Sequence, residues 1–369
     1  MDAFDLLPKL IRSSLICDKK ATEATALMII KKIKKDHPNT AAEISKALSY
    51  VGYDNLVERS LDLSPLPVDR ETRYSLVQVE EPIETPEPIL DNSVRSQLED
   101  FIKERGMIST FLEEDIIPPN SILLNGCPGV GKTYIAHWLS YRLNLPLITL
   151  DLASSISSYL GRSGQNIRSI FDYAKSENSI LFLDELDAIA KRRDDAGDLG
   201  ELKRLVNVLL KELENCPSSC VIIGATNHPE LLDKAIWRRF DRALTIPMPE
   251  EAQRAQLLTR HLGKLKQKIG KNVFQYLVSY TKPICAADIC KLSEHIKRQA
   301  LLNPDRPKSL VALEELFKII RLKSKDEKVI LCQKLKNEYP NLSQRDISQI
   351  AHIPLASVSR YLARGANNA

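Results

Sequence analysis

Apolar and polar positions along this chain change period several times, and each change marks a different element. Over residues 5–60 the apolar positions recur at helical spacing, with Leu6, Leu10, Ile11 and Leu15 followed by Ala26, Ile29, Ile30 and Ile33. The stretch "HPNTAAEISKALSYVG" then offers a turn, Asn39 or Thr40 as N-cap, and a helix that stops near Gly52. We expect a small all-helical domain over 1–60, with docking as its role. From Leu61 to Ile89 the texture changes. Pro65, Pro67, Pro82, Pro86 and Pro88 break any helix and leave an extended, acidic linker over 61–90 with one short strand at "YSLVQV".

Between Ser121 and Met248 short apolar runs alternate with helical patterns. The runs are "SILLNG", "PLITLDL", "ILFLDEL", "CVIIGATN" and "RALTIPM". Such alternation predicts an α/β fold, a five-stranded parallel sheet with helices on both faces. After Pro249 the pattern is helical throughout, to about Lys323. A final helical unit runs from about Asp326 to Gly365. The expected organisation is thus a large α/β subdomain over 91–248, a helical subdomain over 249–323 and a C-terminal unit over 324–369.

Composition narrows this picture only a little. With 369 residues, 43% hydrophobic and 27% charged, the chain has room for several cores and the make-up of an ordinary globular protein. A net charge of +4 is too small to argue for nucleic acid by itself and leaves room only for a local basic surface. The cysteine pairs in "CPSSC" and "CAADIC" lack Cys-x-x-Cys spacing, and no histidine cluster completes a zinc site. Scattered cysteines fit a reduced, cytoplasmic protein with buried thiols. The acidic start "MDAFDLLPKL" lacks a signal-peptide layout, and apolar runs such as "ATALMII" are too short to span a bilayer, so no membrane insertion is expected.

Chemistry enters at "GCPGVGKT", Gly126 to Thr133, which fits G-x-x-x-x-G-K-[ST] and lies between an apolar run and a helical pattern. Glycines let such a loop curl so that amide N–H groups face phosphate oxygens, and the following helix adds its positive end. Pro128, Gly129, Val130, Gly131 and Tyr134 would shape the nucleotide site. Lys132 would bridge the β- and γ-phosphates of ATP, and the Thr133 hydroxyl would ligate Mg²⁺. The competing reading is a chance Gly-rich turn, which the strand–loop–helix context disfavours.

In "ILFLDELDAI" a buried strand ends in Asp184 and Glu185, where an α/β sheet presents its ligand groups. Asp184 would hold Mg²⁺ through water, and Glu185 would act as general base on the attacking water. Asn227 ends the run "VIIGATN" and can orient that water, or serve only as a turn residue. Arg238 and Arg239 in "LLDKAIWRRFDRAL" could neutralise transition-state charge from a neighbouring subunit, or form a solvated helix end.

Together these segments resemble the AAA+ ATPases, in particular the group related to membrane-scission and microtubule-severing AAA proteins. The resemblance covers roughly Asp91 to Lys323. "LLDKAIWRRFDRAL" is close to that group's arginine-finger segment, and "GELKRLVNVLLKELE" is similar to its second-region helix. It implies a homo-oligomeric ring, usually hexameric, in which Arg238 and Arg239 reach the adjacent nucleotide. It also implies a helical lid, which 249–323 would supply. "CAADICKL" resembles the family's lid segment with Ala286 where glycine is usual, so no catalytic residue is assigned to the lid. The same resemblance aligns "SSYLGRSGQNIRSIF" with the first pore loop, whose aromatic–hydrophobic pair would be Tyr159 and Leu160, gripping a polypeptide substrate; residues 190–204 would form a charged second pore loop.

The C-terminal "LSQRDISQIAHIPLASVSRYLAR" resembles a repressor helix-turn-helix. Ile347, Ile350, Ala351, Ile353, Val358 and Leu362 would face inward. Gln344 and Arg345 would lie near phosphates, with Ala356, Ser357, Ser359 and Arg360 offered to a DNA groove. His352 stands at the turn where glycine is usual, and Pro354 where a serine cap is expected. A small helical interaction module is the alternative. Finally, size and layout resemble bacterial ATPases paired with a subtilisin-like serine protease in anti-phage or plasmid-incompatibility systems. The resulting expectation is an ATP-hydrolysing, ring-forming protein remodeller; the alternative is a DNA-associated ATPase.

Overall fold

The computed structural model describes residues 6–15, 19–33, 37, 40–41, 67–68, 75–114, 116–152, 163–188, 199–217, 220–282, 284–320, 324–340 and 342–366. The chain divides into two compact units, Met1–Leu66 and Pro67–Ala369. In the first, α1 (Leu7–Leu15) packs on α2 (Lys19–Ile33), with Leu6, Ala26 and Ile29 buried. The expected helix after Thr40 lies almost wholly outside the described residues.

The second unit is built on one six-stranded sheet. Its strands are β1 (Gln78–Glu80), β2 (Ser121–Asn125), β3 (Leu147–Asp151), β4 (Ile180–Asp184), β5 (Val221–Thr226) and β6 (Arg242–Thr245), in the order β1-β3-β4-β5-β2-β6. The five strands β2 to β6 run parallel, as their apolar runs predict. The short β1 overlaps only Gln78 and Val79 of the expected "YSLVQV" strand, runs on to Glu80, and adds an antiparallel edge to β3, with Val79 opposite Ile148.

Strands β2 to β5 are buried on both faces almost throughout, which explains why their sequences read as runs and not as alternations, while β6 at the edge buries only Leu244. Ile122 and Leu124 of β2 face one core with Val94, Leu98 and Phe101 of α3 (Asn92–Gly106) and Ile135 and Leu139 of α5 (Lys132–Leu143). Leu123 of the same strand faces the opposite core, with Phe171 of α6 (Ser163–Ser176) and Leu209 of α7 (Leu199–Glu214). A short helix α4 (Ile108–Glu113) precedes β2. The helix after β2 covers one face and those after β3 and β4 cover the other. The carboxyl end of β2 is therefore the switch point at which open α/β sheets bind ligands.

Gly224 in the middle of β5 permits a close approach on that second face. A Cβ there would stand 2.6 Å from Leu186 Cδ1 and 2.7 Å from Phe240 Cζ. The missing side chain lets the turn after β4 and the segment after α8 (Lys234–Trp237) meet over β5.

The remaining helices are α9 (Glu251–Leu262), α10 (Leu265–Ile269), α11 (Lys271–Tyr280), α12 (Ala286–Leu302), α13 (Lys308–Ile319), α14 (Lys325–Glu338), α15 (Gln344–Ala351) and α16 (Leu355–Ala366). They share one core. Leu258, Leu277, Ile289 and Leu316 are buried in the same cluster as Leu331, Leu335, Ile347, Ile350 and Val358. The C-terminal helices thus complete the hydrophobic interior of the helices before them. Ser343 caps α15 through a capping box with Asp346, and His352 closes it at φ 50°, ψ 42°. That left-handed conformation is one histidine adopts more readily than most residues. Among the described residues no helix is long and apolar enough to cross a membrane.

Candidate functional site: the carboxyl ends of β2, β4 and β5

The loop from Gly126 to Gly131 leaves β2 and turns into α5. Its tight path depends on residues without a Cβ. At Gly126, φ 152°, a side chain would run into the carbonyl oxygen of Ile246. At Gly131, φ 105°, the chain enters the helix with no side-chain cap, so the first amides of α5 are left for a ligand.

Lys132, the first residue of α5, is 7% exposed. Its ammonium donates to the carbonyl oxygens of Gly126 at 2.7 Å and Cys127 at 3.1 Å, and to Asn227 Oδ1 at 2.7 Å. Burial pushes its pKa below the ordinary lysine value, against the pull of Asp184 and, more weakly, of Cys127 and Asp187. Thr133 beside it is exposed.

Asp184 ends β4, and Glu185 follows at φ 53°, a strained conformation for a residue with a side chain. The Glu185 amide donates to Asp184 Oδ1 at 2.8 Å. Burial raises the Asp184 pKa above the ordinary aspartate value; the Glu185 amide and Lys132 oppose the rise and Asp151 adds to it. Glu185 itself is exposed.

The structure thus brings Lys132, Asp184 and Asn227 to one place, the ends of three neighbouring strands. Two contributors were not legible from sequence. Asp187, 2% exposed, accepts from Thr226 Oγ1 and from the Asn227 amide, each at 3.1 Å. The second is a backbone contact from the helical part: the Ala287 amide at the start of α12 donates to the Gly129 carbonyl at 2.9 Å, with Cys285 packed against Gly129. An amide donor has no side-chain signature, so only the tertiary structure could reveal it.

The extended segment before α3 is likewise tied down. Tyr134 Oη donates to the Pro86 carbonyl at 2.7 Å, and Arg260 of α9 donates to the Glu87 carbonyl at 2.7 Å. Arg238 and Arg239 are both exposed after α8, whose N-cap Asp233 accepts from the Ala235 amide. Arg239 donates to Glu214 at the end of α7, at 3.2 Å. Tyr159, Leu160 and residues 190–198 of the expected pore loops lie outside the described residues.

Residues 122–248 match the family model of the ATPase family associated with various cellular activities (AAA). That stretch, about a third of the chain, is thus similar to an AAA ATPase domain. Over 159 residues the protein is 41% identical to an uncharacterized AAA family ATPase of Sinorhizobium fredii, covering 42% of this chain and 48% of that protein. It is 31% identical over 229 residues to a chloroplastic ATP-dependent zinc metalloprotease of Arabidopsis thaliana, covering 60% of this chain and 28% of the relative. A proteasome-activating nucleotidase of Methanosarcina mazei is 34% identical over 218 residues, 57% of this chain and 51% of its own. The chain spans about half the length, or less, of these curated relatives. Within residues 122–248, the groups described above fit a magnesium-bound nucleoside triphosphate. Free amides at a helix start and a buried ammonium suit phosphates, and the Thr133 hydroxyl and Asp184 carboxylate are the hard oxygen donors that Mg²⁺ takes.

The raised Asp184 pKa has a consequence for stability. A folded state that favours the neutral carboxyl makes the ionised form a cost, present above the folded-state pKa and lost as the pH falls through it. At neutral pH, without nucleotide or magnesium, Asp184→Asn should therefore melt above the wild type, and the gap should close in acid. Thermal unfolding at several pH values checks this; a neutral-pH melting temperature at or below the wild type would contradict it.

Proposed function

We propose that the chain is an ATP-driven protein remodeller that works as a ring of identical subunits, with six the number the family resemblance implies. The observation that carries the reading is the meeting of Lys132, Asp184 and Asn227 at the strand ends of an AAA domain. Bound ATP–Mg²⁺ supplies the phosphoanhydride to be cleaved. Pro128, Gly129, Val130, Gly131 and Tyr134 shape its site, and Lys132 holds the phosphates. Thr133 and Asp184, the latter through water, hold the metal. Glu185 takes the proton from the attacking water, Asn227 orients that water, and Arg238 and Arg239 of a neighbouring copy neutralise developing charge. For those arginines to act between subunits, the Arg239–Glu214 contact must open, which costs little at an exposed pair.

Tyr159 and Leu160 are the residues we propose to grip an extended polypeptide. Relatives named as a proteasome-activating nucleotidase and an ATP-dependent protease support a polypeptide substrate. We further propose, on the resemblance in size and layout, that the threaded chain is passed to a separate subtilisin-like serine protease in anti-phage or plasmid-incompatibility defence.

A second reading adds DNA. It is favoured by the α15–turn–α16 geometry around His352, which leaves Ser359 and Arg360 exposed and Ser357 half-buried on α16.

Glu185→Gln should keep ATP affinity near the wild-type value and lose turnover by about 100-fold or more. Persistent hydrolysis would take the general-base role from Glu185. Tyr159→Ala should keep most ATPase activity and lose unfolding of a tagged fluorescent substrate; undiminished unfolding would end the pore-loop assignment. Arg360→Ala should weaken DNA binding and lower the slope of log Kd against log salt by about one. Wild-type protein without salt-dependent DNA affinity would retire the second reading.

A further inference from the structure

Asp187 has no part in the roles assigned above, yet it is the most buried charged group among the described residues, 2% exposed. Removing a carboxylate from water is costly unless strong donors replace the solvent. Here the donors come from the last residues of β5. Asp187 Oδ1 accepts from both the Thr226 hydroxyl and the Asn227 amide, and Thr226 Oγ1 accepts in turn from the His228 amide at 3.1 Å. One residue earlier, the Leu186 amide donates to the Ala225 carbonyl at 2.9 Å. The turn that begins with strained Glu185 is therefore fastened, residue by residue, to the strand end that carries Asn227.

We propose that Asp187 is a positioning residue for Asn227: its carboxylate fixes the end of β5 so that the Asn227 amide stands in register with Asp184 and Glu185. The inference rests on the ATPase reading. Asn227 lies past the last residue of the ladder, where the sheet no longer dictates its direction. Its own amide N–H, which would otherwise need water, is taken by Asp187, and its side chain is left to meet Lys132. Glu185 and Asn227 follow the ends of different strands, β4 and β5, so a common anchor sets the distance between them. Misplacement of a reacting group by about 1 Å is enough to cost on the order of 10²-fold in rate.

The test is steady-state ATPase kinetics on the full chain for the wild type, Asp187→Ala, Asp187→Asn, Asn227→Ala and the double variant Asp187→Ala/Asn227→Ala. Asp187→Ala should lower kcat by about 10- to 100-fold while KM for ATP stays within about threefold. Asp187→Asn, which keeps an oxygen acceptor in place, should return kcat to within about fivefold of wild type. The double variant should be no slower than Asn227→Ala, because both changes remove the same amide from its post. Losses that multiply, an Asp187→Asn as slow as Asp187→Ala, or an Asp187→Ala with wild-type kcat would each overturn the role. If Asp187→Ala does not fold, Thr226→Val removes one donor from the same carboxylate. Its loss in kcat should vanish in the Asn227→Ala background, and a loss that persists there overturns the proposal. Wild-type protein that binds but never hydrolyses ATP would instead overturn the ATPase reading, and this role with it.

Discussion

Lys132, a residue only 7% exposed, needs oxygen atoms in fixed places for its ammonium, and the architecture around it follows from that need. A buried cation without partners is strongly destabilising, so two carbonyls of the loop must turn inward and a third oxygen must come from elsewhere. Inward carbonyls need the tight path that glycine allows at Gly126. The third oxygen belongs to Asn227, which can reach Lys132 because β5 lies directly beside β2. That adjacency is produced by the chain leaving β2, crossing to lay down β3 three strands away, and filling back through β4 to β5. The strand order and the path of the loop after β2 are in this sense one solution to one electrostatic problem.

The parts of the fold that announce themselves in the sequence are those whose burial is two-sided. Strands β2 to β5 are runs of apolar residues because they are buried almost throughout, whereas β6, at the sheet's edge, buries only Leu244; the groups proposed for chemistry stand where the buried runs stop. Asp184 and Asn227 were legible for that reason, and Lys132 because of the spacing of the glycines before it. Asp187 was not. It follows the strand, within what reads as the start of a helix, and its partner Thr226 is 39 residues away. β1 was visible as a strand, but its antiparallel pairing to β3 was not, since direction is set by the path of chain before it.

The extended segment ahead of α3 shows a different gap between composition and structure. Prolines and acidic residues suggest a tether, yet Leu90 packs in the sheet's core and Ile89 in the helical one. Its carbonyls are held by Tyr134 from α5 and Arg260 from α9. Proline suits this because an extended strap that uses its carbonyls as acceptors loses nothing by lacking amide donors. The strap and the Ala287–Gly129 contact together join the phosphate loop's side of the molecule to the helical one at two separate places.

Sequence texture places a boundary near residue 323, and the helices beyond it resemble a module that could be moved between proteins. Their side chains say otherwise. Leu331, Leu335, Ile347 and Val358 are interior residues of the same cluster as Leu258 and Leu316. A chain cut at that boundary would not merely lose an accessory part. It would lose one wall of the core shared by α9 to α16, with apolar residues of α13 newly facing water. Deletion mapping would then credit residues 324–369 with losses that come from that shared interior. Surface substitutions on α16, which leave the shared interior intact, are the way to ask what those helices touch.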